Sequence, residues 1–473
     1  MWKIIFVLVV GCILLPPAVA QGELQPELEP SVAIAALDTF AAALDERWSY
    51  RHANHADFQT AIAALRKRID RGISRDEFGI ELQKIIALGI DGHSGVSGYS
   101  FPPGGRLPFL IETQGERFVA VNSERRAFLA EGFPFLIKID GKPVAEWCAA
   151  AAVLVPKGSP QYIRERSLSR LRELDYWRGL INLPKKNTVE VELADKENKT
   201  RKTLTLPVAN SPPAYGVWPA GSSRLLEGNI GYLRLPNMVK ATSVAEIRTW
   251  MPRFRNTVGL VVDVRDNNGG DRDALLLLYS YLAAPNDPPH VFTAAAYRLH
   301  STHNENYLAV NHRMYRAGAG EWTQKDRQAI AKFRKTFKPQ WKLPQGQFSE
   351  WHYMALNRLD NPEVYYYDKP IIVLMNGKCF SATDIFLAGL KGVRNVLMLG
   401  TPSSGGSAFT QEITLGETKL EVRLGSMASF QADGRLFDGN GIRPDVLMEP
   451  IPEYFIGGRD NVLEEAVKRI SKR

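Results

Sequence analysis

Two short stretches place a potentially reactive side chain in a turn. Asn376-Gly377-Lys378-Cys379-Phe380-Ser381-Ala382-Thr383-Asp384 follows an apolar run, Ile371 to Met375, and leads into a helical pattern from Thr383 to Leu390. A serine at a sharp strand-to-helix turn projects its hydroxyl into a crevice. The N–H of the next residue, Ala382, is then free to hold an oxyanion. A serine ahead of a helix is more commonly an N-cap, so this segment alone leaves both roles open. The second stretch, Ile90-Asp91-Gly92-His93-Ser94-Gly95-Val96, offers His93 in a Gly-containing turn. Histidine is the commonest general base near neutral pH, but a lone loop histidine is more often a surface residue.

Two further stretches supply backbone rather than side chains. Asp263-Val264-Arg265-Asp266-Asn267-Asn268-Gly269-Gly270 follows the apolar run Val258 to Val264 and opens a helix from about Asp273 to Leu282. Paired glycines let the backbone come close to a ligand and turn N–H groups toward a developing negative charge. An ordinary strand-to-helix turn reads the same way. A nucleotide site is the weaker rival, because neither G-x-G-x-x-G nor a P-loop Lys-Ser/Thr is present. Phe437-Asp438-Gly439-Asn440-Gly441-Ile442-Arg443-Pro444-Asp445 reads first as a turn between strands. The pairs His52/His55 and His300/His303 lack an accompanying Glu-x-x-His pattern, so no metal is assigned and no cofactor is expected.

These segments sit in a chain whose periodicity changes twice. Residues 31–89 carry helical patterns: Ser31 can cap a run through Val32, Ala36, Phe40 and Leu44, and Ser74-Arg75-Asp76-Glu77 is a capping box. An N-terminal helical domain, 21–100, therefore ends in the His93 loop. Residues 104–210 alternate, as in Arg117 to Val121 and Thr188 to Leu193, with a tight Asp140-Gly141 turn; this is a small β domain. Residues 213–473 alternate buried strands with helices, which predicts an α/β unit on a largely parallel sheet, with an insertion at about 296–362.

Composition narrows the function classes. Of 473 residues, 45% are hydrophobic and 23% charged, which excludes disorder as the main state. Lys plus Arg exceed Asp plus Glu by 59 − 51 = 8, without a basic block, so a nucleic-acid partner is not expected. Ile4 to Leu15 is an apolar run too short for a span of ~20 residues. Pro16-Pro17 and Ala18-Val19-Ala20 then complete a secretory signal over 1–20, with Gln21 as the mature end. Cys12 lies in a lipobox-like string, but the apolar Ile13-Leu14-Leu15 after it opposes lipidation. The remaining cysteines, Cys148 and Cys379, read as buried thiols in an exported protein with no membrane span after signal removal.

Taken together the four motifs resemble those of the tail-specific, or C-terminal processing, serine peptidases, in the branch that uses histidine. DVRDNNGG is similar to that family's Asp-Leu-Arg-x-Asn-x-Gly-Gly segment, NGKCFSATD to its nucleophile segment, DGNGIRPD to its Glu-Gly-x-Gly-Val-x-Pro-Asp segment, and DGHSGV to its Asp-x-His-x-Gly-Val loop. The resemblance implies a ClpP/crotonase-like catalytic core with a PDZ-like domain over 104–210. It also implies polypeptide substrates. Ser381 would be the nucleophile, His93 the base and Asp438 the group that orients it, with Gly269, Gly270 and Ala382 around the oxyanion. Many relatives use a lysine in place of the histidine; Gly406 stands at that position here. Lys378 and Lys391 lie off it, and Asp384 is expected to stabilise the helix N-terminus. Ligand- or peptide-binding members without catalysis are the alternative within the same fold.

Overall fold

The computed structural model describes residues 27–218, 221–302 and 305–472. The expected leader, Cys12 and Gln21 lie outside these residues. Among the described residues no helix is long and apolar enough to cross a membrane. Cys148 and Cys379 are both free thiols, and burial pushes the Cys148 thiol up to about 12.

Chain reversal begins with three helices, Pro30–Arg47, Phe58–Ile69 and Arg75–Ile86. Ser31 is not the cap of the first. Pro30 occupies the first turn, where its missing N–H costs nothing, and no side chain caps that end. Ser74 and Glu77 do form the capping box of the third. The inward faces, through Phe40, Leu44, Trp48 and Phe78, pack on Val422, Leu424 and Phe430 near the other end of the chain.

A six-stranded antiparallel sheet follows, five of its strands in the order Phe109–Gln114, Arg117–Asn122, Phe135–Ile139, Thr188–Ala194, Arg201–Pro207. Asp140 and Gly141 both take positive φ, 47° and 77°, as the tight turn between Phe135–Ile139 and the short strand Lys142–Pro143 requires. Helices Val144–Ala151, Pro160–Arg170 and Leu174–Leu180 cover one face.

The largest core lies around the strands Arg224–Leu226, Ile230–Arg234, Gly259–Asp263, Ile371–Met375, Val396–Gly400 and Val446–Leu447, adjacent in that order. All pairings are parallel except that of Arg224–Leu226 with Ile230–Arg234. Successive residues of a strand point to opposite faces. Leu260, Val262, Ile371 and Val373 accordingly meet helices Lys240–Phe254, Asp273–Leu282 and Ala382–Leu390, while Val261, Ile372 and Leu374 meet Asn461–Ser471.

The stretch 296–362, expected as an insertion, contributes two strands to a further sheet. His352–Leu356 and Tyr315–Arg316 join His290–Tyr297 and Met427–Gln431 in a second, antiparallel sheet, with helix Gln324–Thr336 against it. A third small sheet matters for function. Gly95–Ser97 pairs antiparallel with Glu421–Gly425, Gly95 opposite Arg423, and fixes the strand that leaves the His93 turn.

Candidate active site

Ser381 stands between the buried strand Ile371–Met375 and the helix Ala382–Leu390. Its backbone has φ 62° and ψ −123°, a region that side-chain-bearing residues rarely enter, and its hydroxyl caps nothing. Such strain persists where the surroundings impose it. Here Cys379 N–H donates to Asn376 O (3.0 Å), Phe380 N–H donates to Asn267 O (3.1 Å), and the Cys379 thiol donates to Val264 O (3.1 Å). The turn aims Ser381 Oγ at His93, whose Nε2 lies 2.9 Å away.

His93 is held from three sides. Its N–H donates to Asp91 Oδ1 (2.9 Å), its carbonyl accepts from Arg423 Nε (2.9 Å), and its ring stacks on Phe380 with centroids 4.4 Å apart. Burial lowers its pKa below the ordinary imidazole value; Asp91 pulls it upward, while Arg423 and Arg166 push it further down. The imidazole is therefore neutral at neutral pH, the form a base needs.

Asp438 is fully buried beside this pair, yet it does not hydrogen-bond to the imidazole. Its Oδ1 accepts from Gly92 N–H (3.2 Å), and its Oδ2 from the Tyr50 hydroxyl (2.8 Å) and Ser407 N–H (3.3 Å). His93 Nδ1 is shielded from solvent and has no hydrogen-bond partner among the described residues. Asp91 takes Trp48 Nε1 (2.9 Å), Gly425 N–H (3.1 Å) and the Ser94 hydroxyl. One atom each of Asp91, His93 and Asp438 lies within 4.8 Å of the others, a grouping of potential metal ligands. Both carboxylates are already taken up by protein donors. Burial, and then the Asp91 charge, hold the Asp438 carboxyl above the usual range.

The glycine turn comes against the serine from the other side. A Cβ on Gly269 would stand 2.8 Å from Ser381 Cβ, and one on Gly270 would stand 2.6 Å from the Met238 backbone carbon. Both glycines take positive φ, 108° and 142°. The Gly269 N–H is already given to Asn267 Oδ1 (2.9 Å), so this residue supplies room rather than a donor. Ala382 is the first residue of its helix, so its N–H is among those a helix leaves without an internal acceptor.

The lysines are accounted for. A side chain on Gly406 would meet the Phe380 ring at 2.4 Å and His93 Cε1 at 3.0 Å, so the histidine–phenylalanine stack fills the space a lysine stem would need. Lys378 pairs with Glu112 and lies 3.5 Å from Asp266. Burial opposes its charge, but Glu112, Asp266 and Glu165 outweigh that and raise its pKa, so it stays an ammonium. Lys391 donates to Arg443 O and Asp445 Oδ1, both at 2.8 Å, away from the serine. Asp384, fully buried, accepts from the Ser403 hydroxyl, tying the helix that follows Ser381 to the 403–405 loop.

Residues 229–448 match the profile described as Peptidase family S41. Over these residues the chain is similar to that peptidase family. A carboxy-terminal-processing protease of Bartonella bacilliformis is 37% identical to it over 91 residues, 19% of this chain. The match spans 21% of that relative's length. Mature CPAF has the same fold, with a TM-score of 0.64 at 16% identity over 93% of this chain and 97% of that one. Its complex with lactacystin gives 0.63 at 17% over 93% and 98%. The matched residues include Ser381, both glycines and Asp438, while His93 lies outside them. Sequence reasoning missed Tyr50, Trp48, Phe380 and the helix Pro160–Arg170. From that helix and its cap, Ser159 and Gln161 hold the 403–404 carbonyls at 2.5 and 2.6 Å, and Tyr162 holds Gly92 O at 3.0 Å. No local motif marks such contacts.

Proposed function

We propose that this protein is an exported serine peptidase that hydrolyses unstructured polypeptide segments, with Ser381 as nucleophile and His93 as base. The observation that carries the reading is the 2.9 Å approach of His93 Nε2 to a serine hydroxyl on a strained turn, beside a glycine pair that leaves room for a substrate carbonyl. The S41 match supports peptide bonds as the substrate class. Ser381 Oγ attacks the scissile carbonyl carbon as Nε2 takes its proton, and the carbonyl oxygen becomes an oxyanion facing the Ala382 N–H and the Gly269–Gly270 turn. Collapse of this intermediate breaks the C–N bond, and His93 gives its proton to the leaving amine. Water, deprotonated by His93, then cleaves the acyl-serine ester and returns the proton to Oγ. Asp438 acts through the Gly92 backbone, whose N–H it accepts. Export rests on the pattern of residues 1–20.

A fluorophosphonate tests this directly. Wild-type protein is expected to become labelled on Ser381, and Ser381→Ala to remain unlabelled. Labelling elsewhere, or none in folded protein, rejects the reading.

A further inference from the structure

The strand Phe109–Gln114 is the edge of its sheet, and among the described residues no strand pairs with its outer side. Between that edge and the helix Pro160–Arg170 lies a cavity of about 360 Å³. Its far wall includes Asn268 and Ser404, from the loops that flank Ser381. An open strand edge beside a helix accepts an extended segment by strand addition, which puts alternate side chains of the segment into the groove.

The groove's charges are unbalanced in a specific way. Its acids are already engaged. Glu112 is paired by Lys378 and Arg125, Asp266 lies 3.5 Å from Lys378, and Glu165 accepts from the Thr113 hydroxyl at 2.7 Å. Three guanidinium groups keep unused donors. Arg166 and Arg172 have no carboxylate partner among the described residues; each lies over aromatic rings instead, Arg166 over Phe380 and Tyr162, Arg172 over Tyr215 at 4.3 Å. Arg125 is nine-tenths buried, and its Nη1 has no hydrogen-bond partner. A buried guanidinium donor without an acceptor is costly, and a carboxylate is the acceptor that matches its planar fork.

We propose that this groove binds an extended polypeptide segment carrying acidic side chains, whose carboxylates are received by Arg172, Arg166 and Arg125. A segment so held leads past Asn268 and Ser404 toward the catalytic turn. The inference concerns binding and stands whether or not Ser381 is a nucleophile.

The test uses full-length Ser381→Ala protein and two fluorescein-labelled, C-terminally amidated peptides, one of alternating Glu and Val and one of alternating Gln and Val. Amidation removes the terminal carboxylate, so only side chains supply charge. Fluorescence anisotropy at low salt is expected to give about tenfold tighter binding of the Glu peptide, weakening as salt rises. Arg172→Gln should reduce the preference and Arg172→Glu should abolish it. The two substitutions are paired because either can be checked for folding by its circular dichroism and melting temperature. Equal binding of the two peptides, a preference that survives Arg172→Glu, or tight binding only of a Gln peptide with a free terminal carboxylate would each overturn the proposal. Failure of fluorophosphonate labelling in wild-type protein would strike the peptidase reading and leave this measurement intact.

Discussion

The state of one imidazole decides what the site can do at a given pH. A base must be neutral, and His93 is biased that way by burial and by Arg423 and Arg166. The folded-state pKa lies below the unperturbed ~6.5, so the neutral form persists as pH falls through that value. The acid limb of kcat/KM, measured on a fluorogenic peptide, is expected to have its midpoint below 6.5. Arg423 is exposed, and among the described residues its side chain hydrogen-bonds only to the His93 backbone carbonyl, so it can be exchanged without opening a core. Arg423→Gln removes a charge that lowers the histidine pKa and should move the limb upward by a few tenths of a unit, less at high salt, as expected for a screened surface charge. A downward shift, or none at low salt, would show that Arg423 does not act on the base. The same residue explains why no lysine is needed. The His93–Phe380 stack occupies the volume above Gly406, so the two kinds of base exclude each other in space.

At the scale of elements, the proposed chemistry depends on two strand-to-helix turns that nearly touch. Gly269 is confined there because any Cβ would press on Ser381 at 2.8 Å, in a left-handed conformation that L side chains resist. Gly269→Ala should therefore lower peptide turnover by ~10²–10³, the scale of losing one oxyanion donor, because the added methyl stands 3.0 Å from Ala382 N and blocks that N–H. Gly141 is the control: it also has positive φ, 77°, but an added Cβ meets nothing within 4 Å. Gly141→Ala should cost about 1 kcal/mol of stability from backbone strain and leave turnover unchanged. Equal turnover in the two variants would remove the close approach from the mechanism. These turns were readable in the sequence because each is local: an apolar run, a few small or polar residues, then helical spacing. The second antiparallel sheet was not readable. His290–Tyr297 pairs with Met427–Gln431 across more than a hundred residues, and no local pattern carries that register. The Ser31 cap failed for a local reason, since Pro30 one residue earlier is itself a good first helical residue.

At the scale of the whole molecule, the site is a junction between remote parts of the chain. The helical layer supplies Trp48 and Tyr50, the His93 turn follows it, and Asp438 arrives near the other end. Ser381 and His93 were legible as motifs, and Asp438 only through family likeness. Tyr50 was invisible, because its partner lies 388 positions away and a tyrosine two residues after a tryptophan looks like core. Tyr50 is fully buried, and among the described residues its hydroxyl is the one side-chain donor to Asp438. Removing it leaves Oδ2 with only the long Ser407 contact at 3.3 Å, in a place water does not readily reach. Such a loss costs about 1–3 kcal/mol. Asp438 also receives Gly92 N–H, so the loss passes directly to the residue before the base. Tyr50→Phe is therefore expected to lower the melting temperature and, in protein still fully folded, to slow fluorophosphonate labelling of Ser381. Tyr367→Phe separates the two effects. Tyr367 is equally hidden, and its hydroxyl bonds Thr257 at 2.8 Å in the core beneath the parallel sheet. It should show a comparable loss of stability with an unchanged labelling rate. If both variants label at the wild-type rate, the helical layer holds the fold together without positioning the base. If both slow equally, the effect on Ser381 follows from general destabilisation and Tyr50 has no special part in it.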